Sequence, residues 1–403
     1  MTMIQSVLGI ITLLSIGFIF SENRKAISWR AVAGAFAIIL VVAFFVLATE
    51  MGAGVLLSIS NAVGNVFGYG AEGIQFAFGS LVNFSVDGIG FVWALQVLPQ
   101  IIFTASLTSL LYYLGIMQWF VYIIGGGLQK VLGTSRAESM NAAGNIVLGQ
   151  TEAPLLVKPY HRVLTRSQIF AVMVGGLSSI AGSILAGLAG MGVELNYLIM
   201  ACFMSAPAGL MFAKLIIPET EVTIDEVPEL PDDEKPTSFI DAVAKGAIAG
   251  VGIAAIVGAV IISCIGLMAL LNGGLNAIGE MVNITGLSVD MILGTLFSPV
   301  AWLIGIPWEE ASIAGSFLGQ KIAMNEFVAF ANMGKIVMTE RSTAIMTIAL
   351  CGFANIGSVA MVCGALSKMI PTKAGVIGQI GMKVLLAATL ANLMNATIVG
   401  LFV

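Results

Sequence analysis

Apolar runs long enough to cross a bilayer recur along the whole chain, and no other feature restricts its fold as strongly. Met3 to Phe20 carries no charge over 18 residues, close to the ~20 that a spanning helix requires. Similar runs cover about Val32–Leu47, Phe91–Ile124, Gln168–Ala189, Tyr197–Ile217, Val243–Leu271, Ile345–Leu366 and Val384 to the C-terminus. With 58% hydrophobic and 10% charged residues and a mean hydropathy of +1.02, the chain reads as an all-α polytopic membrane protein with eight transmembrane helices. Arg24 and Lys25 follow the first run, whereas the positive charges of a cleaved signal would precede it. The mixed stretch Gly52–Ile89 reads as interfacial helices followed by a loop.

The basic residues test this topology independently. With the N-terminus outside, 14 of the 17 fall in loops assigned to the cytoplasm, and only Lys321, Lys335 and Arg341 fall on the other side. That is the bias of the positive-inside rule, and it puts both termini outside. Eight carboxylates between Glu219 and Glu234 mark a solvated cytoplasmic linker, 218–238, between two halves.

Between the spans lie apolar stretches too short to cross. An arm from Ser139 to Leu148 and a return to Val157 flank Gln150-Thr151-Glu152, which we read as a re-entrant hairpin over 139–157. Gly149 lets the chain turn and Pro154 opens the next short helix. A non-helical turn at membrane depth persists only where protein or a water-filled cavity surrounds it. The tip side chains and free helix-end groups then face a small polar solute. The same letters also suit a surface loop leading into a helix. The 14-residue run Met291–Ile304 ends in Gly305-Ile-Pro-Trp-Glu-Glu-Ala, resembling Gly149-Gln-Thr-Glu-Ala, and a polar helix with Lys321, Asn325 and Glu326 follows. A second hairpin is therefore expected at about 291–333. Three spans separate the hairpins, so they enter from opposite faces in an inverted repeat. The expected units are scaffold spans and interfacial helices in 1–124, with parts of 243–271, a first half-repeat over 125–217 and a second over 239–403.

Carboxylates inside a membrane need partners and mark function by default. Glu138 suits a structural ion pair with Arg136 or Lys130, and Glu309 and Glu310 suit the first turn of a helix. Glu152 and Glu326 each sit beside an uncharged hydrogen-bonding residue, Thr151 and Asn325, and are the candidate ligand carboxylates. Asn355 and Ser358 share a helix face, with Gly352 and Gly357 allowing a break that brings Phe353 near. A carboxylate, an amide and a hydroxyl suit a solute rich in hydroxyls, such as a ribose, and an aromatic ring packs on a flat base. An intramembrane enzyme using Glu309 and Glu310 is disfavoured, because adjacent helical residues point about 100° apart. His161 is the only histidine, and the four cysteines show no metal-site or disulfide spacing.

With these pieces the chain resembles the concentrative nucleoside transporters over nearly its whole length. The specific motifs are Gly-Gly-Gly-Leu-Gln-Lys at 125–130, Gly-Thr-Ser-Arg-Ala-Glu-Ser at 133–139, Gly149-Gln-Thr-Glu-Ala-Pro, Asn325-Glu-Phe-Val-Ala and Cys351-Gly-Phe-Ala-Asn. The resemblance implies sodium-coupled nucleoside import by a lipid-embedded homotrimer in the bacterial inner membrane, with a scaffold and an elevator-like transport domain. No nucleic-acid partner is expected. It implies that Gln150, Thr151, Glu152 and Ile184 read the base, and that Glu326, Asn355 and Ser358, with Phe353 close by, hold the ribose. It also implies sodium at the Asn145 and Ser179 side chains and the Leu148 and Ile180 carbonyls. Proton coupling through Glu152 or Glu326 is the alternative.

Overall fold

The computed structural model describes residues 2–82, 92–150, 152–160, 163–223, 237–281 and 286–403. Every regular element among them is helical, because hydrocarbon leaves the backbone no external hydrogen-bond partner. In chain order the helices are α1 (Thr2–Ile19), α2 (Trp29–Ala48), α3 (Glu50–Phe78), α4 (Trp93–Tyr113), α5 (Ile116–Leu132), α6 (Arg136–Gly144), α7 (Arg166–Ser178) and α8 (Gly182–Gly190). They continue as α9 (Leu195–Ile216), α10 (Phe239–Met281), α11 (Val289–Leu303), α12 (Trp308–Ala323), α13 (Glu326–Met333), α14 (Glu340–Leu350), α15 (Ile356–Met369) and α16 (Ala374–Val399). Six helices among the described residues are long and apolar enough to cross a membrane, or seven if the bent pair α11–α12 counts as one. The broken pairs α7–α8 and α14–α15 fall outside this count; each is two shorter helices parted by an unwound stretch.

From α4 onward one order of elements occurs twice. A long helix, a second helix, a hairpin, a broken span and an unbroken span run α4, α5, α6 with its 3-10 return Ala153–Tyr160, α7–α8 and α9. The same order then runs α10, α11, α12–α13, α14–α15 and α16. The two long helices pack on each other. Cβ atoms added at Gly246 and Gly250 would lie 2.7 Å from the Cα atoms of Ser106 and Ile102, the small-residue contact by which membrane helices approach closely. Ser106 and Ser109 hydroxyls donate across this seam to the Val243 and Ala242 carbonyls at 2.9 and 2.8 Å. The core lies elsewhere: α7, α9 and the C-terminal half of α16 are largely buried and pack around the breaks.

Several segment readings change. Phe91–Ile124 is not one span, because Gly115 (φ +80°) parts α4 from α5. Gly125-Gly-Gly lies within α5, which ends at Gly133. The stretch after Gly52 belongs to one 29-residue helix, α3, and residues 83–91 lie outside the described set. The span at 243–271 extends into a 43-residue helix, α10. The Gly305 turn (φ +111°) is a corner between α11 and α12, bent by 115°. The second hairpin's tip falls later, at Met324–Asn325.

Candidate functional site

A capping box starts the first hairpin. Ser135 accepts from the Glu138 N–H, and Glu138 accepts from the Ser135 N–H at 3.0 Å. This turns Glu138 inward, where it pairs with Lys214 of α9, both buried. Arg136 and Lys130 are therefore not the partners expected from sequence neighbourhood. The ion pair accounts for Glu138 without a ligand role, since a buried carboxylate without a cation would cost several kcal/mol.

After Gly144 the chain leaves the helix in tight turns, with Leu148 N–H donating to the Gly144 carbonyl at 2.8 Å. Gly149 N–H donates to Glu152 Oε2 at 3.5 Å. The Val147 carbonyl accepts from Gly182 N–H at 2.8 Å, which fastens the tip to the break of the following span. Thr151 lies outside the described residues.

The break itself runs from Ser179 to Ala181, between α7 and α8. Ser179 Oγ donates to the Gly175 carbonyl at 2.9 Å. A Cβ at Gly175 would lie 3.0 Å from Asn145 Nδ2, so Asn145 and Ser179 both lie against this residue. Asn145 Nδ2 donates to the Asn141 carbonyl at 2.9 Å, and Asn145 Oδ1 is buried without a hydrogen-bond partner among the described residues. The Ile180 carbonyl faces a weak thiol donor, Cys202 Sγ, at 4.0 Å. Leu148 and Ile184 are buried beside this break. An orphaned amide oxygen, a hydroxyl and carbonyls freed by unwinding are neutral oxygens of the kind that suits a hard monovalent cation.

The second break, Cys351–Asn355, crosses the first. Phe353 N–H donates to the Ser179 carbonyl at 3.2 Å. Gly352, at φ +144°, abuts Asn392, and a Cβ there would lie 2.3 Å from Asn392 Nδ2 and 2.8 Å from the Ser178 carbonyl. Asn355 caps α15, its Oδ1 accepting from Ser358 N–H at 2.7 Å, while its Nδ2 donates to Glu326 Oε2 at 3.2 Å. Glu326 opens α13 behind the Asn325 cap, where the positive helix end favours a carboxylate. Gln150 Nε2 donates to Ser358 Oγ at 3.3 Å, joining the two half-repeats. Gln150 Oε1 is left without a partner among the described residues.

The structure thus gathers Asn145, Leu148, Gln150, Glu152, Ser179, Ile180 and Ile184 of the first half with Glu326, Phe353, Asn355 and Ser358 of the second. Sequence reasoning missed Asn141, which donates to the Val172 carbonyl at 3.3 Å, and Asn392, which abuts Gly352. A signal was present: Asn141 precedes Asn145 by one helical turn, and Asn392 interrupts an apolar span, where a polar residue is costly. Glu309 and Glu310 lie away from the site in the first turn of α12, Glu310 accepting from Thr339 N–H at 2.9 Å. The carboxylate at the second hairpin's tip is Glu326.

A membrane fold with two polar-tipped hairpins and two broken spans around buried amide, hydroxyl and carboxylate groups defines a solute carrier. Sequence families described as "Na+ dependent nucleoside transporter" match residues 8–81 (N-terminus) and 197–400 (C-terminus), and one described as "Nucleoside recognition" matches 94–194. The chain is 47% identical to the nucleoside permease NupC of Helicobacter pylori, covering 99% of this chain and 97% of the permease. It is 49% identical to CNTnw in an inward-facing substrate-bound state, with TM-score 0.95 over 100% of this chain and 98% of that one. It also matches an outward-facing CNTnw variant at 48% identity, with TM-score 0.98 over 100% and 99% of the two chains. The chain belongs to the concentrative nucleoside transporter family.

Proposed function

We propose that this protein imports nucleosides by sodium symport, with a transport domain that moves like an elevator past a scaffold. The observation that carries the reading is the crossing of the two breaks: Phe353 on the Ser179 carbonyl, Gln150 on Ser358 and Asn355 on Glu326. Gln150, Thr151, Glu152 and Ile184 read the base from the first half. Glu326, Asn355 and Ser358 hold the ribose hydroxyls from the second, where an ionised acceptor strengthens each bond, and Phe353 lies beside them. Sodium takes the Asn145 and Ser179 side chains and the Leu148 and Ile180 carbonyls. Because Ser179 contributes to the ion site and also accepts from Phe353, ion binding fixes the break on which the nucleoside pocket rests. That is the basis for coupling.

In this reading the protein is a homotrimer in the bacterial inner membrane with both termini outside, it favours a uridine-like nucleoside, and it is not an enzyme. The positive-inside argument strengthens slightly, because Lys321 is only 3% exposed and occupies no loop. Radiolabelled uridine uptake into proteoliposomes tests the function. An inward sodium gradient should drive accumulation of unmodified uridine at constant pH. Accumulation that follows an imposed pH gradient without sodium would transfer the coupling to a proton on Glu152 or Glu326.

A further inference from the structure

Lys321 is a buried cation that the nucleoside site does not use. It lies in the last turn of α12, 3% exposed, and its ammonium makes one hydrogen bond among the described residues, to the Ala349 carbonyl at 2.7 Å. Ala349 belongs to the last turn of α14, immediately before the second break. Across the hairpin tip the Lys321 charge attracts Glu326. A buried ammonium is costly unless something compensates it.

The repeated order of elements gives the reason for its place. Asn145 at the C-cap of α6 corresponds to Met324 at the C-cap of α12, and Ser179 at the C-cap of α7 corresponds to Cys351 at the C-cap of α14. The two side-chain oxygens assigned to sodium in the first half are therefore two sulfurs in the second, and sulfur is a poor ligand for a hard cation. Lys321 precedes Met324 by three residues and ends on a backbone carbonyl at a helix terminus, as a bound ion would. Among the buried charged side chains described, Glu138 is matched by Lys214, which leaves Lys321 with Glu326.

We propose that Lys321 is the built-in cation of the second half-repeat, standing where the first half takes up sodium, and that it limits coupling to one monovalent cation per nucleoside. The proposal rests on the reading of the first break as the sodium site.

The test counts charge. Proteoliposomes with equal sodium and pH on both sides are clamped at a series of potassium–valinomycin potentials, and the voltage that holds a tenfold uridine gradient at zero net flux is recorded. One charge per nucleoside requires about 60 mV, and two charges require about half of that. Wild type and Lys321→Arg are expected at one charge. Lys321→Met is expected at two, because Glu326 without its fixed cation takes up a further sodium ion or proton in each cycle. A Lys321→Met variant that still requires about 60 mV overturns the proposal. Where its flux is too low to measure, calorimetry on the folded variant counts sodium and protons taken up with uridine. Two cations are expected; one, or no uridine binding at any sodium concentration, overturns the proposal. Wild-type transport indifferent to sodium would instead remove the sodium site itself, and the wild-type count separates the two failures.

Discussion

Asn145 carries the ion argument because its Oδ1 is buried without a partner among the described residues, and an unmet acceptor at membrane depth costs several kcal/mol unless an ion or water meets it. Asn145→Ala and Ser179→Ala each remove one side-chain oxygen proposed to ligate sodium. Both should raise the sodium concentration for half-maximal uptake while leaving expression near wild type; unchanged sodium activation in both would argue against the site. Glu326→Gln keeps size and loses charge, and charged hydrogen bonds are worth about 1.5–3 kcal/mol against about 1 for neutral ones. Uridine affinity should fall roughly tenfold, while 3′-deoxyuridine should lose much less, and equal losses would make Glu326 structural. Both carboxylates at the site were legible in the sequence, because a charge in an apolar chain has few bland explanations. Gly352 and Asn392 were not, because their pairing is a contact between residues 40 apart in sequence and neither letter alone announces it.

At the scale of elements, the breaks depend on particular backbone shapes. Gly352 at φ +144° has no room for a side chain, with Asn392 and the Ser178 carbonyl in the way, and a residue forced into such a conformation costs about 1–3 kcal/mol. Gly352→Ala should lower the melting temperature and weaken sodium and uridine binding together. Adding Asn392→Ala should restore part of the loss, since Nδ2 is the nearest obstacle, and no recovery would place the strain in the backbone alone. The first hairpin was legible because Gly149 and Pro154 bracket a polar triplet. The tip of the second was placed the length of α12 too early. Gly305 and Pro307 are equally good turn letters, yet they make a corner between α11 and α12, and turn chemistry does not report depth in the membrane. The break between α7 and α8 carries no proline at all, and only the polar pair Ser178-Ser179 hints at it.

Over the whole molecule, an ion cluster ties the loop after α1 to both half-repeats. Glu22 meets Arg166 at the start of α7 at 2.8 Å and Lys383 of α16 at 2.7 Å. Partial burial of Glu22 opposes its ionisation, but hydrogen bonds from Lys383 and Arg166 hold the carboxyl below its ordinary value. A depressed folded-state value stabilises the fold above the unfolded-state value, about 4.3, and that stabilisation is lost as pH falls through the folded-state value. The three side chains are partly exposed, so the gain is about 1 kcal/mol at most. Glu22→Gln should lower the melting temperature slightly at pH 7 and match wild type in acid; an equal deficit at both would mean that packing rather than charge is lost. The relative CNTnw is found inward-facing and, as a variant, outward-facing, and the account's central claim is that the crossed breaks here form one site exposed to each face in turn. The direct test is thiol labelling of Thr151→Cys after removal of Cys202, Cys264, Cys351 and Cys363, with an impermeant reagent applied to right-side-out and to inside-out vesicles. The account predicts reaction from the cytoplasmic face and, under conditions favouring the outward form, from the outer face, with uridine plus sodium protecting in both. Labelling from one face only under every ion and substrate condition would contradict it and leave the hairpin as a fixed plug.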